Sequence, residues 1–425
     1  MITLLRLFLL MLLATQMLIS KTLSLQEAID ATLSSHPDAK LALHQFNASR
    51  ESLGIAQASA YPELSLNADY FPTKTLVSQS NGSFVTRDHY STHIDVTLTY
   101  TLWDFGRSQK HIDAAHQEMD SAVALNENAK ALLSEKVWQA YYSLAYIQRV
   151  NKANALSLSF YQTLYEQALQ MKNIGLKTEA DSERFYASLL EAKDLLETSR
   201  NEGRKFTHLL SVLTGIVENE ITIEDDFTQR SVGTPPSFTD AKWHQILKDN
   251  NAELEALSFK IKQSKSLYES SKTERYGTIA SVASLGSDTS ISSYSSNQIG
   301  IKASIPLYTG GRLSHQIEKD RVSIMMAEEA LHSREFTLWQ ELYEALLDTK
   351  RLDTTIEAKQ MIARSLAKTV AITEGRYKEG LSTYIEVLDA QRAYDNASIT
   401  QYAAMLQKIA SLARIKRLIP KGVSL

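Results

Sequence analysis

The chain has 425 residues and is nearly neutral, with 45 Lys and Arg against 49 Asp and Glu, so its charge gives no reason to expect nucleic acid or an anionic membrane surface as a partner. It has no cysteine, which excludes disulfide frameworks, thiol catalysis, thiolate metal sites and lipid attachment through an N-terminal cysteine. Only seven prolines interrupt a sequence rich in Ala, Ser, Leu and Gln, and this composition favours long helices.

The N-terminal segment 1–20 has the pattern of a secretory signal peptide. Arg6 precedes an apolar stretch at 7–19, and Leu18 and Ser20 form an imperfect small-residue cleavage site. The stretch is 13 residues long, whereas a membrane-spanning helix needs roughly 20 residues. We therefore expect an exported protein, with a retained membrane anchor as the alternative interpretation.

The chain repeats its own landmarks. Two dipeptides recur 205 residues later: Gly106-Arg107 as Gly311-Arg312, and Gly175-Leu176 as Gly380-Leu381. Tyr61 and Tyr276 lie 215 residues apart, so the second copy is ten residues shorter, a difference that we assign to a hairpin loop. We interpret the chain as a tandem duplication, with a first repeat at 21–214, a linker at 215–240 and a second repeat at 241–425.

Two hairpins of alternating apolar and polar residues are predicted, at about 63–103 and 277–308. Such alternation over about ten residues is typical of a transmembrane β-strand with lipid on one face and water on the other. A half-buried hairpin of a soluble domain has the same pattern, and alternation alone does not separate the two hypotheses. The membrane hypothesis predicts two lipid-facing and two water-facing side chains: Val96 and Ile301, and Thr97 and Lys302.

Each hairpin is followed by two helices, a long one at about 108–174 and 313–379, and a shorter one at about 178–213 and 383–417. A helix as long as the first of each pair spans about 100 Å. Apolar residues in the second copy recur at intervals of seven: Ile317, Ile324, Leu331, Leu338, Ala345 and Leu352. This repeat is typical of a coiled-coil seam, so these helices are predicted to pack on one another or on another subunit.

The turns between the paired helices are predicted to form exposed tips. Gly175 and Gly380 are C-cap glycines that end the long helices. The following helices begin with matching capping boxes: Thr178 with Asp181, and Thr383 with Glu386.

With the duplication and the tips in view, the chain resembles the TolC-type outer-membrane efflux proteins. Residues 375–414, GRYKEGLSTYIEVLDAQRAYDNASITQYAAMLQKIASLAR, are similar to the family's helix-turn-helix tip. SIPLYTGGR resembles its strand-to-helix corner, and LSLQEAIDATLSSHPDAK resembles its N-terminal helices. The resemblance runs over about 23–419, and the order and double occurrence of these motifs make it specific.

The resemblance implies an α+β membrane protein built from tandem-duplicated units of helix, strand, strand, long helix and helix. Each of three chains would give four strands to a twelve-stranded outer-membrane β-barrel, which continues into a periplasmic α-helical coiled-coil barrel. The predicted strands also require, without the family, that several chains share one barrel, because four strands cannot close a barrel and an open edge cannot face lipid. They do not choose three chains over two or four.

The resemblance also nominates functional residues. Four tip residues would contact a periplasmic adaptor: Gly175, Leu176, Gly380 and Leu381. Four others would form a periplasmic gate: Asp181, Tyr377, Glu386 and Asp389. In that gate Tyr377 would hydrogen-bond Asp181, and the carboxylates of Glu386 and Asp389 would form acidic rings around a threefold axis. Some relatives have a second latch with a basic residue where this chain has Ser382. Helix capping is the alternative role for Asp181 and Glu386, but it does not explain Asp389.

The sequence contains none of the common catalytic motifs, such as G-x-S-x-G, a Walker loop or H-E-x-x-H. No catalytic residue, cofactor site or metal site is therefore predicted. His89 and His93 are four residues apart, but they precede a predicted strand and lie beside the variable hairpin loop, so the geometry of a helical metal site is not expected there.

The predicted function is an outer-membrane exit duct of a tripartite efflux pump or a type I secretion system. The duct would be a homotrimer embedded in outer-membrane lipid, with a long periplasmic extension. It would passively conduct substrates from an inner-membrane efflux or ABC transporter and a periplasmic adaptor, or membrane fusion protein. The alternative is a non-conducting periplasmic coiled-coil scaffold or adaptor, and an exported enzyme has no supporting residues.

Overall fold

The computed structural model describes residues 22–80, 83–176, 178–223, 233–289 and 293–421, so the predicted signal peptide at 1–20 lies outside the described residues. In chain order the main elements are α1 (Leu25–Ser35), α2 (Pro37–Ala58), β1 (Glu63–Ser80), β2 (Ser83–Trp103), α3 (Arg107–Asn173), α4 (Glu179–Thr214), α5 (Asp240–Asn250), α6 (Ala252–Thr273), β3 (Thr278–Thr289), β4 (Ser293–Ser304), α7 (Arg312–Lys378) and α8 (Tyr384–Leu418). Short 3₁₀ turns lie at Glu218–Glu220 and Glu274–Tyr276.

Two compact units divide the chain, and neither coincides with one sequence repeat. The first, the helical unit, contains Met1–Ala42, Glu127–Asn251 and Phe336–Leu425. The second, the sheet unit, contains Leu43–Asn126 and Ala252–Glu335. Each repeat contributes segments to both units. The repeat boundaries predicted from the sequence therefore mark the order of the two copies along the chain and do not mark the boundaries of the compact units.

Each hairpin is preceded by two helices, whereas the sequence predicts a single helix at the start of the second repeat. In the first repeat the break falls at His36, whose extended ψ of 136° follows from the restriction that Pro37 places on its predecessor. In the second repeat the break falls at Asn251, where ψ is 117°. The Asn251 amide donates a hydrogen bond to the Leu418 carbonyl at 3.0 Å, across 167 residues of sequence. A contact this distant in sequence leaves no local pattern that predicts the break.

The four strands form one antiparallel sheet in the order β1-β2-β3-β4. The β2–β3 pairing joins the hairpin of the first repeat to that of the second. β1 and β2 have 18 and 21 residues, whereas β3 and β4 have 12 each. The assignment of the ten-residue difference to a hairpin loop is therefore wrong: the strands of the second hairpin are shorter because pairs are lost at the end distant from the helices.

Cross-strand pairing sorts the side chains of the sheet into apolar and polar rows. One row across the four strands consists of Leu64, Leu98, Ala283 and Ile299, and the next consists of Ser65, Thr97, Ser284 and Gln298. The apolar face is not covered within the sheet unit, since Ile299 and Ile301 are 88% and 73% exposed. An uncovered apolar face of this size indicates contact with lipid or with another chain.

The core of the helical unit contains the last three of the six residues in the predicted heptad seam, whereas the first three belong to the sheet unit and are only partly buried. Leu338, Ala345 and Leu352 of α7 are all buried. Arg417 of α8, whose side chain is 9% exposed, forms ion pairs of 2.6 Å with both Glu135 and Glu341. A buried cation is tolerated only when it is compensated in this way, so these contacts fix α8 against α3 and α7. Among the helices in the ranges given above, none is long and apolar enough to cross a membrane.

Candidate functional site

The two tips are built by the same chain reversal, and both belong to the helical unit. Gly175 and Gly380 have φ values of 75° and 77°, in the left-handed region that favours glycine. The Leu176 N–H donates to the Met171 carbonyl at 2.9 Å, and the Leu381 N–H donates to the Arg376 carbonyl at 2.8 Å. Together with the glycine N–H bonds three residues back, these are Schellman motifs, which satisfy the last carbonyls of α3 and α7.

The tips present apolar side chains to their surroundings. Leu176 and Leu381, predicted from the sequence, are 69% and 64% exposed. The structure adds two residues that the sequence prediction misses, Ile174 before the first tip and Ile385 after the second, both exposed. Ile174 and Ile385 share a position beside a tip turn, and the backbone hydrogen bonds within each turn hold it in place. Apolar side chains held outward by such a turn suit a docking surface.

At the start of α4, Asp181 acts as a helix cap. One oxygen of its carboxylate accepts hydrogen bonds from the Thr178 N–H at 3.1 Å and from the Thr178 hydroxyl at 3.0 Å. In return the Thr178 hydroxyl oxygen accepts from the Asp181 N–H. The reciprocal capping box predicted from the sequence is therefore formed here.

At the start of α8 the capping arrangement differs. The Thr383 hydroxyl accepts from the Glu386 N–H at 3.4 Å, and the Ser382 hydroxyl donates to the Glu386 carboxylate. The Ser382 bond is the largest of the influences that hold the pKa of Glu386 below its usual range. Ser382 thus serves the start of its own helix.

Tyr377 lies at the end of α7 and is only 1% exposed. Burial raises the pKa of its hydroxyl, and the negative charge of Asp181 raises it further, so the two side chains are close enough to interact electrostatically. The latch between them stays a prediction. Asp389, one turn into α8, is exposed and thus available to water and ions.

A pocket of about 230 Å³, lined by both apolar and polar side chains, lies between α3, α4 and α8, deeper in the helical unit than the tips. Arg392 donates to Glu191 at 2.9 Å on its rim, and Gln391 donates to the Asp395 carboxylate at 2.8 Å. Burial raises the pKa of Asp395, and hydrogen bonds from Ser157 and Gln391 offset part of that rise. The sequence prediction does not include this cluster, because its members come from three helices far apart in the chain.

In the histidine pair at the second strand, the described member His93 is engaged with acidic side chains. The two ring nitrogens of His93 contact carboxylates, Nδ1 with Asp288 at 2.7 Å and Nε2 with Asp95 at 3.0 Å. The side chain of His89 lies outside the described residues. Within the part of the chain that the structure describes, no group of three His, Cys, Asp or Glu side chains is arranged to hold a metal ion.

Solved outer-membrane proteins share this combination of a sheet with one uncovered apolar face and long helices that end in exposed turns. CusC, whose structure was solved in a study of transmembrane channel formation, superposes with a TM-score of 0.80 at 17% identity, covering 93% of this chain and 91% of CusC. The outer membrane protein VceC from Vibrio cholerae superposes with a TM-score of 0.79 at 17% identity, covering 94% and 96%.

The chain belongs to the outer membrane efflux protein family, because the sequence model of that family matches residues 28–204 and 243–420. This confirms the resemblance to TolC-type proteins. Nodulation protein T of Rhizobium leguminosarum bv. trifolii is 22% identical over 400 residues, covering 91% of this chain and 80% of the relative. Outer membrane protein TolC of Salmonella enteritidis is 24% identical, covering 88% and 77%. Alkaline protease secretion protein AprF of Pseudomonas aeruginosa is 19% identical, covering 93% and 84%.

Proposed function

We propose that this protein is an outer-membrane exit duct of a tripartite efflux pump or a type I secretion system, and that it conducts its substrates passively. Membership of the outer membrane efflux protein family supports the export role and the outer-membrane location. The relatives include a protein named for alkaline protease secretion, which supports a role in secretion beside the efflux role given by the family. The duct is proposed to need no chemistry of its own, since the work comes from an inner-membrane transporter.

The single observation that carries the proposal is the open four-stranded sheet with one exposed apolar face. In hydrocarbon the unpaired N–H and C=O groups of β1 and β4 would each cost several kcal/mol. Pairing β4 of one chain with β1 of the next removes both edges. Bacterial outer-membrane barrels begin at eight strands, and the family resemblance selects a homotrimer with twelve strands.

The proposed partners follow from the position of the tips. An adaptor of the membrane fusion protein class would dock on Leu176 and Leu381, with the adjacent Ile174 and Ile385 widening the contact. An efflux or ABC transporter in the inner membrane would deliver the substrate. Outer-membrane lipid would cover the apolar face of the sheet.

The proposed gate lies at the same end of the helical unit. Three copies of Asp389 would place an acidic ring in the entrance, because this exposed carboxylate has no capping role in α8. Glu386 would add charge beside it while also supporting the start of the helix. Tyr377 and Asp181 would hold the closed state together, and the charge of Asp181 already acts on the Tyr377 hydroxyl within one chain.

Fractionation of cells tests the proposal. A duct should remain in outer membranes after a high-salt wash, migrate as a heat-modifiable trimer in detergent and form pores in planar bilayers. Full release by salt, with no pore activity, would contradict the duct and favour the periplasmic scaffold.

A further inference from the structure

Phe185 connects the two helical hairpins at the tip end of the helical unit. It lies in the second turn of α4 and is completely buried. Its ring meets that of Tyr377 edge to face, with centroids 5.9 Å apart and planes at 68°. It meets the ring of Tyr384 in the same way, at 6.0 Å and 72°.

The two tyrosines lie on either side of the second tip. Tyr377 is in the last turn of α7, and Tyr384 is the first residue of α8. A single side chain from the first hairpin therefore contacts both helices of the second hairpin, just where that hairpin reverses. The guanidinium of Arg184 lies 5.0 Å from the centre of the Tyr384 ring and adds a cation–π contact between the same two hairpins.

We propose that Phe185 is a positioning residue of the closed gate, and that the Phe185–Tyr377–Tyr384 cluster acts as an aromatic clasp which holds the second hairpin against the first. This inference rests on the proposed duct function. In this proposal the entrance opens when the tip of the second hairpin moves relative to the first, and such a movement separates the three rings. The clasp is thus a second restraint beside the polar Tyr377–Asp181 contact.

The composition of the tips favours an apolar restraint over an ionic one. Ser382 stands where a basic latch residue would be, and its hydroxyl is engaged with Glu386 of the same hairpin, so it adds no charge between hairpins. The clasp is instead continuous with a buried apolar cluster that includes four further helix residues: Leu164 and Ala168 of α3, and Val387 and Leu388 of α8. Edge-to-face aromatic pairs typically shift an equilibrium by about two- to tenfold each beyond the effect of burial.

The test compares Phe185→Leu with a matched control in full-length trimers. Leucine keeps most of the buried apolar volume but loses both ring contacts, so the open fraction in planar bilayers should rise by about tenfold over wild type. The control is Tyr186→Leu, at the adjacent position. The Tyr186 ring packs on Tyr165 of α3, at 5.2 Å, within the first hairpin only. The Tyr186→Leu control should therefore leave the open fraction unchanged.

A second variant protects the test against misfolding. Tyr384→Leu removes the other ring from a half-buried position at the start of a helix and should open the channel in the same direction. Thermal stability of the trimers is measured alongside, because a merely structural role for Phe185 would lower stability in Phe185→Leu without changing the open fraction.

Phe185→Leu and Tyr384→Leu trimers that gate like wild type would overturn the clasp while leaving the duct intact. If wild-type trimers form no pores at all, the proposed function fails first. A gain of conductance in Tyr186→Leu equal to that in Phe185→Leu would also overturn the clasp, since the effect would then belong to the first hairpin as a whole.

Discussion

A lysine placed on the apolar face of the sheet should impair membrane assembly most at the middle of a strand. β4 runs from Ser293 to Ser304, so Ile299 lies at its centre, and its side chain is 88% exposed. A lysine at the bilayer midplane of an outer-membrane barrel costs about 2–4 kcal/mol. Ile301 lies two residues nearer the helices, about 7 Å along the strand and about 5 Å along the membrane normal for a strand tilted by about 40°. Ile299→Lys should therefore cost about 2–4 kcal/mol per chain, and Ile301→Lys about 1–3 kcal/mol.

The matched control is Gln298→Lys, one residue away on the opposite face. Gln298 pairs with Ser284, which in turn pairs with Thr97, so all three belong to the polar row. A lysine there, or in Thr97→Lys, should cost close to nothing if that row faces water. The assay is the yield of heat-modifiable trimer in outer membranes, followed by urea titration of trimers refolded into bilayers. Equal assembly of Ile299→Lys and Gln298→Lys would refute the assignment of faces, or the barrel itself.

The remaining predictions concern the helical unit. Leu176→Asp and Leu381→Asp should leave trimers intact but abolish export, because a buried carboxylate would disrupt an apolar contact with the adaptor; loss of the trimer in both variants would indicate a folding role instead. Tyr377→Phe should raise single-channel conductance by removing the latch hydroxyl, and unchanged conductance would eliminate the latch. Asp389→Asn should weaken cation selectivity and block by multivalent cations in planar bilayers, and wild-type selectivity would eliminate the acidic ring. Asp395→Asn should raise the thermal stability of trimers at pH 7 and lose this advantage near pH 4. The raised pKa of the buried carboxyl makes the wild type less stable as pH rises from the ordinary Asp value through the raised one. A stability difference that is constant over pH would contradict that account.

Local patterns were sufficient to predict the turns at Gly175 and Gly380, since a left-handed C-cap and a capping box each depend on residues a few positions apart. Strand alternation is sufficient to predict the face on which most side chains of the sheet lie, but not at the end of the sheet nearest the helices. By alternation Trp103 would lie with Thr101 on the polar face. A β-bulge between them instead pairs Trp103 with Ile279, which lies on the apolar face. A bulge adds one residue to one strand only, so it is set by pairing with a strand some 180 residues away and not by the local sequence.

The residues of the site were harder to predict than the fold. The family resemblance nominated Tyr377, and the structure shows it buried against Phe185, which lies in the other repeat. Nothing near Phe185 in the sequence distinguishes it from an ordinary helix residue. Its environment is created only when the two hairpins meet. The same holds for Asp395, whose raised pKa depends on burial among three helices.

Capping and latching do not exclude each other at Asp181, because its carboxylate can perform both. The two bonds from Thr178 end on the same oxygen, Oδ2. A carboxylate has about four acceptor positions on its two oxygens, so Oδ1 can still accept from a tyrosine hydroxyl when the tips close. Asp181→Asn would therefore weaken the helix start and the latch together and could not separate them. Tyr377→Phe removes the latch donor alone and keeps the ring that packs on Phe185, so its conductance measures the polar contact, while Phe185→Leu measures the aromatic one.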